Sequence, residues 1–517
     1  MFSSVYSGGL LGIDGYRVEV EADVSDGLPA FYMVGYLSSE VREAEQRVRS
    51  ALKNSGFRLD ARKITVNLSP AHIRKEGTAY DLPVAVAILS AYGVIDMDRF
   101  RESAFLGELG LDGVCKPVRG VLPLVLALRQ AGIRRCFLPE ESAAEGLAVE
   151  GMKIVKVTNL KTLIQMLIGE ADLVEASGSE YGRGTGSSDY PVDFSEINGQ
   201  KLLRRATEIA VAGQHNILYI GPPGSGKSMI ARRIPTIMPS LSKEEQLEIS
   251  KIYSICGMLP SDTALLHTRP FRAPHHTISP QALAGGGKVP KPGEISLASR
   301  GVLFLDELPE FQKGTLEILR QPLEEHRITV ARLHGSCEFP AHFMLAAALN
   351  PCPCGYYPDE NLCNCSQHQI QRYLGRISRP LLDRIDVCVE AEPVTYQELQ
   401  TSGRNEQSEV IRLRVEAAHE IQKRRFTGRN VFFNAEMTGQ DIREFCRLLP
   451  EDDAFLQQAF RKMNLSARGC HRVLRVARTI ADLELEPMIL RKHLCEAVSY
   501  RSLEGKYWGR RDDHVCR

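Results

Sequence analysis

The sequence lacks the features that would assign it to a specialised class of protein. Lys and Arg together number 64, as do Asp and Glu, so the chain has no net charge and is not a histone-like polycation. No apolar run reaches the roughly 18 residues of a membrane span, and no basic stretch followed by a long apolar core opens the chain. We therefore expect neither a membrane segment nor a signal peptide, and a cytoplasmic location.

Aromatic residues are also scarce, at 7% with a single Trp, yet 43% hydrophobic and 25% charged residues suit about two to four globular domains. The 13 cysteines are an odd number, and most have apolar neighbours, which favours core packing in a reducing compartment over a disulfide framework. Any nucleic-acid binding must come from a local basic surface, because the overall charge is balanced.

Apolar periodicity predicts three domains. Strand-like runs alternate with helical patterns before residue 176, which predicts an α/β domain. Short apolar strands at 217–220, 301–305 and 343–348 predict a parallel sheet with ligand-binding loops at the strand ends, and helical periodicity follows. The predicted boundaries are 1–175 for the N-terminal α/β domain, 176–192 for a flexible Gly/Ser-rich linker, 193–393 for the parallel-sheet core, 394–510 for a helical domain and 511–517 for a tail.

The segment 221–228 reads GPPGSGKS and fits the phosphate-binding pattern G-x-x-x-x-G-K-[ST] between an apolar strand and a helix. Its glycines let backbone N–H groups face phosphate oxygens, while Lys227 adds positive charge and Ser228 a Mg²⁺ ligand. A chance glycine-rich turn is the alternative, and the strand–helix context disfavours it. The expected nucleotide-binding residues are Gly221, Pro222, Pro223, Gly224, Ser225, Gly226, Lys227, Ser228 and Asp306.

Two carboxylates, Asp306 and Glu307, follow the apolar strand 302–305. Alone, such a pair is more often an ordinary solvated strand end. Beside a phosphate loop, Asp306 is expected to hold Mg²⁺ together with Ser228, and Glu307 to orient and polarise the attacking water.

Hydrolysis also needs a polar group near the attacking water and positive charge on the transferring phosphate. Asn350 follows the strand 343–348 and is the candidate for the first role. Arg384 and Arg468 are candidates for the second, one of them across a subunit boundary. From the residues alone, each Arg is better explained as a surface or helix-capping residue.

Several long phrases resemble one family. Residues 193–390 look like an AAA+ ATPase of the magnesium-chelatase type, and the runs FRAPHHTIS, PGEISLASRGVLFLDELPEF, NPCPCGYY and LLDRIDVCVE resemble the ComM/YifB family in particular. The resemblance implies a hexameric ring that binds ATP and Mg²⁺ between subunits. The roles it implies are Walker A for Lys227 and Ser228, Walker B for Asp306 and Glu307, sensor 1 for Asn350, arginine finger for Arg384 and sensor 2 for Arg468.

The N-terminal part resembles the Lon-protease-like fold, through the runs ITVNLSPAHIRKEGTAYDLPVAVAIL and GELGLDGVCKPVRGV. Lon-type catalysis uses a Ser that is activated by a Lys. The resemblance puts Ala79 where that Ser belongs and Leu122 where that Lys belongs. We therefore expect a domain without peptidase activity that forms the ring or contacts DNA.

Four cysteines lie close together in the sequence, as two C-x-C pairs separated by eight residues. Four thiolates match the ligand count of a closed tetrahedral Zn²⁺ site, although C-x-x-C pairs are more usual. Free thiols or a redox pair are the alternatives. The candidate zinc ligands are Cys352, Cys354, Cys363 and Cys365.

A Gly/Pro-rich stretch at 285–293 carries Lys288 and Lys291 and suits a hairpin or loop that touches phosphates; its assignment to DNA follows from the family resemblance. His275 and His276 precede it, and an adjacent pair favours a hydrogen-bonded structural role over a metal site. Basic helix faces in the C-terminal part are either solvated or additional phosphate contacts. Their residues are Lys423, Arg424, Arg425, Arg429, Arg472, Arg475 and Arg478.

The resemblance implies an ATP-dependent DNA helicase that promotes branch migration when transforming DNA is integrated by homologous recombination. The expected partners are single-stranded, forked or branched DNA of any sequence, further copies of the chain and recombination proteins. A magnesium-chelatase-like metal-insertion subunit or a protein-remodelling ATPase is the alternative. The Lon-like domain and the cysteine cluster argue against a chelatase subunit.

Overall fold

The computed structural model describes residues 1–178, 190–287, 290–332, 335–393, 405–463 and 465–508. They form two compact units. The first contains the described residues of 1–187 together with 242–267, and the second contains those of 188–241 and 268–517.

The first unit is built on a mixed seven-stranded sheet. Its strands are β1 (Phe2–Leu11), β2 (Asp14–Ser25), β3 (Ala30–Val34), β4 (Lys63–Ser69), β5 (Ser103–Phe105), β8 (Arg135–Pro139) and β9 (Lys153–Val157), with a separate pair β6 (Glu108–Leu109) and β7 (Cys115–Lys116). The strand order is β3-β4-β2-β1-β5-β8-β9, and β2 is antiparallel to both of its neighbours. Val18, Val20 and Val24 in β2 are buried and alternate with polar residues, as a half-buried strand requires.

Helices cover the sheet of the first unit. They are α1 (Ser39–Arg42), α2 (Ala44–Asn54), α3 (Asp81–Ala91), α4 (Val121–Gln130), α5 (Ala143–Leu147), α6 (Leu160–Ile168) and α9 (Lys243–Cys256). Helix α3 is buried almost throughout, because its sequence DLPVAVAILSA is apolar on every face. Helix α3 can therefore pack in the core of the first unit with every face covered.

Helix α9 comes from the middle of the chain but packs in the first unit against α4. Leu247 and Leu265 of the segment 242–267 contact a hydrophobic cluster of that unit. The backbone N–H of Gly120 donates to the carbonyl of Ser254 at 3.0 Å, and the Ser254 hydroxyl donates to Glu145 at 2.5 Å. The sequence-based boundaries had assigned 242–267 to the parallel-sheet core.

The second unit contains a five-stranded sheet whose neighbours are all parallel. Its strands are β10 (Ile217–Ile220), β11 (Phe271–Arg272), β14 (Val302–Leu305), β17 (Met344–Leu349) and β18 (Val387–Glu390). The order β11-β14-β17-β10-β18 places β17 between β14 and β10, so that the loops following these three strands meet at one edge. Two hairpins, β12 (Gly285–Gly286) with β13 (Lys291–Pro292) and β15 (Arg327–Arg332) with β16 (Gly335–Pro340), accompany the sheet.

The helices of the second unit surround this sheet and form the C-terminal region. They are α7 (Lys201–Gly213), α8 (Lys227–Ile237), α10 (Pro280–Ala284), α11 (Glu294–Leu297), α12 (Lys313–Glu317), α13 (Pro322–Glu325), α14 (Gln367–Leu374), α15 (Arg379–Leu382), α16 (Ser408–Arg425), α17 (Gly439–Phe445), α18 (Pro450–Lys462), α19 (Ala467–Leu483) and α20 (Arg491–Trp508). Helix α19 carries a buried apolar face that includes Val473, Ala477 and Ile480.

The predicted fold class is confirmed: a parallel α/β core is followed by a helical region and preceded by a second α/β unit. Most of the predicted linker, 179–189, and the predicted tail lie outside the described residues, as do 394–404. Within the described ranges, no helix is both long enough and apolar enough to span a bilayer.

Candidate active site

The phosphate loop connects β10 to α8 at the carboxyl end of the strand. Gly226 has φ +83° and directly precedes the first residue of α8, so no side chain caps the N–H groups of the first helical turn. A Cβ at Gly224 or Gly226 would meet no atom within 4 Å. The loop therefore leaves open space in front of a helix N-terminus, which suits a phosphate group.

Lys227 is the cation of this loop and is 7% exposed. Its Nζ donates to the carbonyls of Gly221 and Pro222, each at 2.8 Å, and to Asn350 Oδ1 at 3.3 Å. Burial lowers the pKa of Lys227 to about 8, and the nearby Asp306 carboxylate opposes that shift. The ammonium group is thus held inside the loop, where an anionic ligand would favour its charged form.

The side chains expected to hold Mg²⁺ lie in direct contact. Ser228 Oγ donates to Asp306 Oδ2 at 2.5 Å, and Asp306 Oδ1 accepts the N–H of Glu307 at 2.9 Å. A hydroxyl and a carboxylate are oxygen ligands of the kind Mg²⁺ prefers, so the donor set fits the ion. Glu307 has φ +52°, a left-handed conformation that is costly for a residue with a side chain and is often found at functional sites.

His276 contacts the carboxylate of Glu307, a contact that the sequence analysis did not foresee. Its Nδ1 lies 3.4 Å from Glu307 Oε2, its ring packs against His275 with centroids 4.0 Å apart, and Phe311 meets it edge-on. Residues 271–272 form β11 next to β14, and this pairing brings the HHT run to the Glu307 side chain. The available signal was the run FRAPHH, whose first two residues form β11.

Arg384 lies at the amino ends of the strands of this sheet, opposite the end that carries the phosphate loop. The Asn216 side-chain amide donates to its carbonyl at 2.8 Å, and Asn216 immediately precedes β10, whereas the phosphate loop follows β10. A strand of four residues spans about 13 Å. The Arg384 guanidinium pairs with Glu324. The structure therefore does not bring Arg384 to the phosphate loop of its own chain.

Arg384 and Arg468 line the same cavity, which has a volume of about 640 Å³. Arg468 is exposed at the start of α19. Arg472, one turn further on, donates to the carbonyls of Leu382 and Ile385 at 3.3 and 3.1 Å and joins this helix to the Arg384 loop. Lys227, Ser228, Asp306, Glu307 and Asn350 are absent from the lining of this cavity.

Several of the basic helix faces considered as phosphate contacts are engaged within the chain. Arg478 is 2% exposed and pairs with Asp482, which also binds Arg425. Arg472 is 4% exposed and pairs with Asp383. For Arg472 and Arg478 the phosphate-contact prediction is wrong, because their charges are buried against carboxylates.

The four cysteines of the cluster converge in space. Their Sγ atoms all lie within 4.8 Å of one another, and three of the distances are 3.3, 3.5 and 3.7 Å. Zn–S bonds of about 2.3 Å in a tetrahedron place sulfur atoms about 3.8 Å apart. The donor set Cys352, Cys354, Cys363 and Cys365 thus fits a zinc ion in number and spacing.

Comparison with known proteins assigns all of the main segments. The family model described as "Magnesium chelatase, subunit ChlI" matches residues 193–399, "Subunit ChlI of Mg-chelatase" matches 20–142, and the model of the C-terminal part of that subunit matches 405–501. Competence protein ComM of Haemophilus influenzae is 40% identical over 509 residues, covering 96% of this chain and 97% of the relative. The chain belongs to the ComM/YifB family.

The YifB protein of Escherichia coli is likewise 40% identical, over 503 residues that cover 97% of each chain. These matches make the chain a magnesium-chelatase-like member of the AAA+ proteins, for which ATP and Mg²⁺ are the implied cofactors. The Ser228–Asp306 pair and the open phosphate loop described above fit those cofactors.

Lon protease 2 of Bacillus subtilis is 26% identical over 131 residues, which cover 25% of this chain and 23% of that protein. Ala79 and Leu122, which stand where the Lon resemblance would place Ser and Lys, lie in the same hydrophobic cluster and are 8% and 0% exposed. Two apolar side chains supply neither a nucleophile nor a base. In this chain, both residues are part of the hydrophobic core of the first unit.

The predicted hairpin near Lys291 is present as the ribbon β12–β13, in which Gly286 pairs with exposed Lys291. Lys288 lies outside the described residues. The longer hairpin β15–β16, which contacts β12, was not predicted from the sequence. The alternation of buried Ile328 and Val330 with polar or small residues was the signal for that strand.

Proposed function

We propose that this chain is an ATP-driven DNA motor that works as a hexameric ring and promotes branch migration during recombination of incoming DNA. Lys227 would bind the phosphates, and Ser228 and Asp306 would hold the Mg²⁺ that neutralises them. Glu307 would polarise the water that attacks the terminal phosphorus, with Asn350 hydrogen-bonded nearby. The relevant DNA is single-stranded, forked or branched, and is bound without regard to sequence.

The position of Arg384 carries the proposal of a ring. It lies about one strand length from the phosphate loop of its own chain and shares a cavity with Arg468. Positive charge at the transferring phosphate speeds such hydrolysis greatly, and Arg384 from another chain would supply it. If the cavity of one copy faces the phosphate loop of the next copy, it would supply Arg384 and Arg468 together to that loop. Glu324 would release the Arg384 guanidinium to the more highly charged phosphate.

Two observations support DNA as the substrate. Lys291 is exposed on a short Gly/Pro-rich ribbon, which suits contact with a phosphate backbone, and Lys288 belongs to the same stretch. The relative from Haemophilus influenzae is named a competence protein. Recombination proteins are the partners we propose, in the cytoplasm.

The cysteine cluster would hold one structural Zn²⁺ per chain. Thiolate ligation would close the loop 352–365. A metal assay on the purified protein tests this, and well under one equivalent of zinc would refute it.

The decisive test of the motor is the ATPase rate with and without a four-way DNA junction. We expect the junction to raise the rate several-fold and Glu307→Gln to abolish hydrolysis in both conditions while nucleotide still binds. Branch migration of a labelled junction should require ATP and the native Glu307. A rate indifferent to DNA would favour a metal-insertion or protein-remodelling function, as in the magnesium-chelatase relatives.

A further inference from the structure

The end of β17 and the residue that follows it both contact the phosphate loop, just before the chain enters the cysteine cluster. The Leu349 carbonyl accepts the N–H of Gly221 at 3.2 Å. Asn350 Oδ1 accepts from Lys227 Nζ at 3.3 Å. Cys352 comes only two residues later. The residues that directly precede the cysteine loop 352–365, which we call the knuckle, are thus tied to the nucleotide site.

A third contact joins the knuckle itself to the phosphate loop. Gly355 has φ +90°, and a Cβ built there would lie 2.5 Å from Pro223 Cδ and 2.9 Å from Pro223 Cγ. Non-bonded carbon atoms pack at about 3.5–4.0 Å, so any side chain at residue 355 would push Pro223 away. The knuckle backbone therefore lies directly against the proline of the phosphate loop.

The cysteines shape the part of the knuckle that makes this contact. Cys352 Sγ accepts the N–H of Gly355 at 3.2 Å and that of Tyr357 at 3.4 Å. On the far side, the Tyr357 ring meets the Tyr507 ring of α20, whose hydroxyl donates to Glu390 at 2.7 Å. The knuckle is wedged between the phosphate loop and the C-terminal helix, and the position of Cys352 governs the position of Gly355.

We propose that the knuckle is a metal-dependent brace of the phosphate loop, so that occupancy of the cysteine site sets the affinity for nucleotide. With zinc bound, Gly355 supports Pro223 and the loop keeps its open form. Without zinc, the loop loses this support and nucleotide binds more weakly. By linkage, bound nucleotide must raise the affinity for zinc by the same factor. This inference rests on the proposed nucleotide and zinc sites and is independent of DNA.

The first experiment measures nucleotide binding without DNA. The full chain, with its zinc content measured, is titrated with a fluorescent ADP analogue before and after removal of zinc by a chelator. We expect the dissociation constant to rise about tenfold on removal, a typical coupling between two sites, and to return when zinc is restored. Equal affinities for the ADP analogue with and without zinc would contradict the proposed brace but not the zinc site. A chain that binds no zinc overturns both.

A second experiment tests the contact without removing the metal. Gly355→Ala is compared with Gly428→Ala, whose φ of +79° imposes similar backbone strain but whose Cβ would meet nothing within 4 Å. We expect Gly355→Ala to keep its zinc and to bind the ADP analogue about tenfold more weakly, and Gly428→Ala to bind it as the native chain does. Equal binding by the two variants would contradict the inference. Loss of DNA stimulation alone would bear on the motor and not on the brace.

Discussion

The two sheets of this chain differ in what occupies the place where catalytic side chains belong. In the seven-stranded sheet, Ala79 and Leu122 pack into a hydrophobic cluster. In the five-stranded sheet, Lys227, Ser228 and Asp306 are polar and hydrogen-bonded. Both are well-packed α/β scaffolds, and they differ in the polarity of the side chains at this place. Function in such a chain must be argued from single side chains and not from the architecture that carries them.

Lys227→Ala should remove the activity that we propose for the second sheet. It removes the only charge that the phosphate loop itself supplies, and charged hydrogen bonds of this kind contribute about 2–3 kcal/mol, or about a hundredfold in affinity. We expect ATP hydrolysis and junction migration to be lost and nucleotide affinity to fall by that factor. Calorimetric titration measures the binding, and circular dichroism checks the fold. Retained branch migration would contradict the ATP-site assignment.

Arg384→Ala tests whether the active site of the second sheet is confined to one chain. Because an arginine finger acts on transition-state charge, we expect hydrolysis to fall about a thousandfold with nucleotide affinity nearly unchanged. Mixing this variant with Lys227→Ala should restore part of the rate, because some interfaces would then pair a native phosphate loop with a native Arg384. No recovery in mixed rings that are shown to form would place the finger elsewhere. Loss of ATP binding with unchanged assembly would do the same.

His276→Ala probes how much packing around the carboxylate matters. The His276 contact at 3.4 Å restrains Glu307, and a freed carboxylate spends less time in position to polarise water. We expect hydrolysis to slow about tenfold, with nucleotide affinity unchanged. Steady-state rates give the comparison. His275→Ala removes the ring that packs against His276 and the contacts of His275 with Thr277, but it keeps the His276–Glu307 contact, so it should have a smaller effect. Equal rates in all three proteins would exclude a positioning role.

Ala79→Ser asks whether the first sheet can regain chemistry. A hydroxyl in this apolar cluster would lack the lysine of the Lon-type pair, because Leu122 stands where that Lys belongs. We expect no peptide hydrolysis and a loss of about 1 kcal/mol in the free energy of unfolding of the first unit. Casein digestion and thermal melting provide the two measurements. Measurable proteolysis would contradict the prediction that this unit has no peptidase activity.

Features that depend on contiguous residues could be predicted from the sequence. The GPPGSGKS loop, the apolar strand before Asp306 and the paired cysteines are local patterns with a direct physical meaning. The contact of His276 with Glu307 was not predictable, because it depends on the pairing of β11 with β14. The burial of Arg478 beside Asp482 was also not predictable, because a charged residue on a helix is ordinarily solvated.

The segment 242–267 has a consequence for the order in which the protein is made. Domains generally fold as they leave the ribosome, N-terminal domain first. Here, the hydrophobic cluster of the first unit is incomplete until Leu247 and Leu265 are synthesised, and both come after the phosphate loop in the chain. The first unit therefore completes its core only when part of the second has been translated. A fragment that stops at residue 178 would expose that patch and lack the partners of Gly120 and Glu145.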